Sequence, residues 1–156
     1  MLSHNEMIDA YSDGVVLLRT SLENIDDSQL DARPIDGKWS IREVVCHLAD
    51  AEIIYADRMK RVLAEVEPLF FEANPELFRH ALNAENRSIE VELDVITVVR
   101  QHMSHILRSA DTEDLQRRGR HSRDGSMTLE TLLQRITDHI PHHVGFILEK
   151  IVAMEN

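Results

Sequence analysis

WSIREVVCHLADAEIIYADRMKRVL, residues 39–63, decides the fold. Ser40 followed by Glu43 has the spacing of a capping box, in which the hydroxyl takes a free helix N–H and the carboxylate reaches back to the cap. Trp39, just outside the cap, is placed to staple against Val44. Val44, Leu48, Ala51, Tyr55, Met59 and Val62 then recur in steps of three and four. That spacing makes one face of a helix apolar along its whole length. Pro68 stops the run. A helix with one long apolar face is stable only when other elements cover it.

The flanking sequence supplies helical partners. Upstream, Ser3 and Glu6 form a second capping box, and Met7, Tyr11, Gly14, Leu18, Leu22 and Ile25 trace another helical stripe ending at Asp26-Asp27-Ser28. Residues 29–39, with Pro34 and Gly37, read as an irregular crossing. Residues 68–84 carry a Leu-Phe-Phe cluster, Asn74-Pro75 and Phe78, and read as a short helix or a lid over one end of the assembly. A third long helix is expected over 84–110, with Ile89, Leu93, Ile96, Val99, Met103, Ile106 and Leu107 inward. Arg117, Arg118, Arg120 and Arg123, with Gly119 and Asp124-Gly125 among them, read as a solvated inter-helix loop. Thr128 caps a fourth helix with the stripe Leu129, Leu132, Ile136, His139, His143 and Ile147. The expectation is an all-α, four-helix bundle forming one domain over 1–156.

Composition narrows the partners. Seventeen basic against twenty-eight acidic residues give a net charge of −11, which repels nucleic-acid backbones. The single Cys46 allows no internal disulfide. The first residues lack the basic and apolar regions of a signal peptide, and no apolar run is long enough to span a bilayer. A cytoplasmic location without membrane or nucleic-acid contact is expected.

Chemistry resides in the histidines. His139 and His143 lie one helical turn apart and replace apolar residues where the fourth helix faces the core. Buried imidazoles need partners, and one divalent cation can satisfy two at once. His47 is the third candidate, because Val44, Ala51 and Ile54 around it on the second helix are apolar. Three histidine ligands leave a coordination position open, the pattern of catalytic sites. The bland alternative is a set of packed histidines bonded to backbone or carboxylate. His102 and His105 on the third helix are rivals, ranked lower because Met103 takes the inward position. His142 should face solvent or support the site from outside. His4, His80 and His121 read as surface residues. Pro141 removes a helical hydrogen bond between the pair and should kink the helix. The chain contains no Glu-x-x-His, so a ferritin-like di-iron site is excluded. His-Glu-x-x-His and Gly-x-Ser-x-Gly are also absent. Cys46 reads as a packed thiol, since neighbouring helical residues diverge.

Lys38-Trp39-Ser40-Ile41-Arg42-Glu43-Val44-Val45-Cys46-His47-Leu48-Ala49-Asp50 resembles the second-helix signature of the DinB/YfiT-like metal-dependent enzymes. Residues 128–133 and the run His139-Ile140-Pro141-His142-His143-Val144-Gly145 are similar to that family's last-helix signature, though Pro141 departs from the usual pattern. The resemblance covers nearly the whole chain. It implies up-down-down-up connectivity, a homodimer, and a three-histidine site of His47, His139 and His143 for one divalent ion, Zn or Ni first and Fe or Mn next. It further implies a small-molecule substrate, with a low-molecular-weight thiol as a candidate partner.

The leading functional expectation is thiol S-transfer or metal-assisted hydrolysis, with a metal-bound thiol or water as nucleophile. Arg100, Tyr55 and Arg58 would orient an anionic substrate if they share a cavity with the metal; otherwise they pack their stems and solvate their heads. The alternatives are a non-catalytic metal-binding module and a metal-free helical interaction domain. An open site beneath a pocket favours chemistry, whereas a closed, dry site favours structure.

Overall fold

In the computed structural model, which describes residues 3–155, the caps form where the spacing places them. The chain runs α1 (His4–Ser21), α2 (Asp27–Asp31), α3 (Ile41–Ala64), β1 (Leu69–Phe70), α4 (Pro75–Ala81), α5 (Ile89–Arg108), β2 (Arg118–His121), β3 (Gly125–Thr128) and α6 (Leu129–Glu155). Single 3-10 turns occur at Ala84–Asn86 and Thr112–Gln116. Ser40 Oγ accepts from Glu43 N at 3.2 Å and Glu43 Oε2 accepts from Ser40 N at 2.7 Å, closing the box that starts α3. Ser3 and Glu6 do the same for α1, and Thr128 Oγ1 caps α6 by accepting from Thr131 N at 3.0 Å. Pro141 does not interrupt α6, which is one continuous helix.

The four long helices, α1, α3, α5 and α6, form the bundle. Arg100 bridges Tyr11 of α1 and Ile136 of α6, while Gly14 lies against Ile140, so α1 and α6 run in the same direction. Ser12 meets Ser104 and Arg19 meets Asp94, so α5 opposes α1. Arg42 reaches Arg87 and Glu52 reaches Arg100, so α3 and α5 run together. The order is up-down-down-up. No helix among the described residues is long and apolar enough to cross a membrane.

The core divides into two apolar clusters with a polar layer between them. One contains Met7, Tyr11, Met59, Met103, Leu107, Leu132 and Ile136; the other contains Leu18, Ile41, Leu48, Leu93, Ile96, Ile140 and Ile147. At the boundary Arg100 gives Nε and Nη2 to Glu52 Oε1 at 2.9 and 2.6 Å, and Nη2 to Ile136 O at 2.9 Å. Nη1 donates to Tyr11 O, and the Tyr11 hydroxyl donates to Glu52 Oε2 at 3.1 Å. Arg100 and Glu52 are fully enclosed. A buried charge pair survives only when its remaining donors and acceptors are satisfied, as here.

Two connections differ from expectation. The crossing between the first two long helices contains α2, started by a box between Asp26 and Gln29. The basic run is not a solvated loop: β2 and β3 form a hairpin, and β1 adds to it in parallel. The physical reason is alternation. Gly119 and His121 point inward while Arg118 and Arg120 point out, and Gly125, at φ 77°, makes the turn an L-residue would resist. Gly119 is required by contact, since an added Cβ would fall 2.1 Å from the Phe70 ring. Arg117 caps the end of α3 by donating to Val62 O at 2.8 Å and Glu65 O at 3.2 Å.

Candidate metal centre

His47 from α3 and His139 and His143 from α6 meet where the two helices face each other. Their ring centroids are 4.9, 4.9 and 4.6 Å apart, and one nitrogen from each lies within 4.8 Å of the other two. His47 Nε2 and His139 Nε2 are 3.1 Å apart. Two nitrogens bound tetrahedrally to one ion at ordinary lengths would be about 3.3 Å apart. The spacing of these rings is therefore already close to that of a chelating set.

Burial keeps the imidazoles unprotonated. It pushes His139 down to about 3 and His143 down to about 4, with the His47 ring further disfavouring charge on both, and it pushes His47 below the usual imidazole range. His139 Nδ1 and His143 Nδ1 are enclosed without a hydrogen-bond partner. Enclosed nitrogens normally find partners. Neutral rings with unmet nitrogens, converging on one point, are a donor set suited to a divalent cation of the Zn, Ni or Fe kind.

The other histidines fall outside this cluster. His102 and His105 are exposed on α5, and His80 is exposed on α4. His142 is exposed with its ring edge-on to His143 at 5.2 Å. His121 corrects the surface reading: it is buried, and its Nδ1 accepts from Arg123 N at 3.3 Å and Asp124 N at 3.1 Å. Its position was hidden because its strand was read as a loop. Cys46 is packed, donating to Ala84 O at 3.4 Å, and burial pushes its thiol up to about 12. Trp39, expected to staple the helix start, also stands edge-on to His47 at 5.4 Å and donates to Glu76 at 2.7 Å, tying α4 to the site.

A cavity of about 360 Å³ opens from the cluster, with His47 and His139 in its wall. Residues 72–78 cover one side through Glu72, Pro75 and Phe78, which is where a lid was expected. Tyr55, Arg58, His121 and Arg135 also line it. Of the three residues expected to orient an anion, Tyr55 and Arg58 reach this cavity. Arg100 does not, because its guanidinium is consumed by Glu52 and two carbonyls inside the bundle. Most charges in the cavity wall are matched: Asp50 with Arg87 at 3.0 Å, Asp124 with Arg135 at 2.6 Å, and Glu72 with Arg123.

Residues 15–147 match the model of the DinB superfamily. A protein of Oceanobacillus iheyensis, named as a candidate metal-dependent hydrolase, is 27% identical over 143 residues, covering 92% of this chain and 83% of its own length. YfiT of Bacillus subtilis, named in the same way, is 28% identical over 134 residues, covering 85% and 75%. The solved structure of YfiT, described as an unusual four-helix bundle, superposes with a TM-score of 0.92 over 99% of this chain and 91% of that one, at 24% identity. A mycothiol-dependent maleylpyruvate isomerase shares the fold at a TM-score of 0.72 and 11% identity, over 92% of this chain and 60% of that one.

Proposed function

Because the chain belongs to the DinB superfamily, we propose that it is a metal-dependent enzyme acting on a small molecule, with His47, His139 and His143 holding the ion. One observation carries this reading: two of the three neutral imidazoles, His47 and His139, stand in the wall of a cavity of about 360 Å³ rather than in a closed core. Three protein ligands leave a position for an exogenous one, and a wall of apolar and charged groups around it suits substrate better than scaffold. A structural ion would be closed off by a fourth side chain. Zn or Ni suits the all-nitrogen set best.

A divalent ion on three neutral ligands supplies undiminished positive charge, which lowers the pKa of a thiol or water placed beside it. The chain's own residues do the rest. Burial holds the three imidazoles deprotonated and ready at neutral pH. Pro75 and Phe78 shield one side of the cavity from water, and the Trp39–Glu76 bond anchors that cover. A thiol is the preferred exogenous partner, being soft and anionic when bound. The thiol dependence named for the isomerase of similar fold supports this choice over simple hydrolysis.

Elemental analysis of protein purified without affinity-tag metals tests the reading. About one divalent ion per chain is expected, lost in His47→Ala, His139→Ala and His143→Ala and kept in His142→Ala. Equal metal content in the parent and His139→Ala would remove the proposed site. A cobalt-substituted sample should gain an intense thiolate band with 2-mercaptoethanol, and its absence would remove the thiol.

A further inference from the structure

Arg58 is the exception among the enclosed arginines. Arg100 pairs with Glu52, Arg87 with Asp50 and Glu92, and Arg79 with Glu43 and Glu76. Arg58 is 7% exposed, and among the described residues no carboxylate is bonded to it. Its Nη2 donates to Phe71 O at 2.7 Å, and its guanidinium lies over the Tyr55 and Phe70 rings at 5.1 and 6.0 Å. A guanidinium has five N–H donors, so most of this one remains available to the cavity. Asp124 attracts it from across the cavity but is bonded to Arg135 at 2.6 Å, so the buried charge lacks a carboxylate of its own, and a ligand anion would lower the cost of keeping it from water. The neighbouring groups are donors too. His121 accepts at Nδ1 from two backbone amides, which places its proton on Nε2, and it lines the same cavity as the Tyr55 hydroxyl.

We propose that Arg58, His121 Nε2–H and the Tyr55 hydroxyl form a carboxylate subsite at the far end of the cavity, holding an elongated substrate whose reacting end lies at the three histidines. The length follows from the helices. Arg58 is three turns beyond His47 on α3 and Arg135 one turn before His139 on α6. Eleven residues of α3 rise about 16 Å, and the arginine stem, reaching further toward the N-terminus than the His47 ring, leaves roughly 13 Å between subsite and cluster. In a chain of net charge −11 this local positive end cannot attract anions from afar, so it selects among molecules already in the cavity.

The inference rests on the proposed metal centre, and its test separates the two. Cobalt-loaded protein is titrated with 6-mercaptohexanoate and with its neutral analogue 6-mercaptohexan-1-ol, read by the thiolate band. The carboxylate should bind about tenfold more tightly or better, the scale of one charge-assisted hydrogen bond. Arg58→Gln should bring the two within about twofold, the scale of a contact that no longer senses charge. Arg58→Lys should keep part of the preference, and 2-mercaptoethanol should bind all three proteins alike. Equal affinities in the parent, or a preference that survives in Arg58→Gln, overturn the subsite. If no thiol perturbs the band, the thiol reading fails instead. The subsite is then read by calorimetry with hexanoate on EDTA-treated protein, where Arg58-dependent binding supports it and no binding overturns it.

Discussion

Replacing Arg100 by Met in EDTA-treated protein removes the centre of the polar layer without changing side-chain length greatly. Four hydrogen bonds disappear: two to Glu52 Oε1, one to Ile136 O and one to Tyr11 O. Glu52 is left fully enclosed with the Tyr11 hydroxyl as its remaining partner. Breaking a buried pair from one side costs about 3–5 kcal/mol. For a chain of this size that corresponds to a fall in Tm of roughly 6–20 °C. The loss should depend on pH. Burial already raises the Glu52 carboxyl above its ordinary value, and without Arg100 the opposing attraction is gone, so it rises further. A carboxyl whose folded pKa lies above its unfolded one contributes its full stability below the unfolded value and loses it as pH rises. The gap between Arg100→Met and the parent, measured by urea denaturation, should therefore widen from pH 6 to pH 8. Glu52→Gln in the Arg100→Met background should recover more than about 1 kcal/mol, a coupling of the size expected for groups in contact. A gap below about 1 kcal/mol, within what neutral surface changes produce, or one identical at both pH values, would refute the account.

Gly14→Ala should destabilise although alanine is ordinarily better in a helix, because the new Cβ would fall 2.4 Å from Arg100 Nη1; denaturant midpoints check this, and a gain would refute it. EDTA-treated protein should lose stability as pH falls below about 6.5. His139 and His143 are held down to about 3 and about 4, so the unfolded chain takes up protons that the folded one refuses; a flat profile from pH 7 to pH 5 in thermal melts would refute this. We also propose a homodimer through α1 and α5, where Val16, Leu17, Val91 and Val98 are exposed while Val15 and Val95 pack half-buried on the core. Light scattering at micromolar concentration should give twice the chain mass, and a monomer would remove the proposal.

The helices were legible because each signal was local. Ser40 and Glu43, Ser3 and Glu6, and Thr128 start helices through contacts three residues apart, and the apolar stripes extend them. His139 and His143 were legible for the same reason, being one turn apart on a stripe. The hairpin was missed although Asp124-Gly125 carries a turn signal. Its strands are four residues long, and their positive charges suggested solvent. Their pairing with β1, about fifty residues away, leaves no mark in local periodicity.

Sequence alone thus determined the four-helix bundle and nominated His47, because helix formation and one-sided burial depend on residues within a few turns of one another. Tertiary structure decided the rest. It showed that His47 meets His139 of the α6 pair at 3.1 Å, that Arg100 belongs to the core, and that Arg58 and His121 share the cavity. Those outcomes depend on which helix faces which and at what level. An arginine with a buried carboxylate across the bundle and one facing a cavity read alike in the chain; only packing places the counter-charge beside one of them.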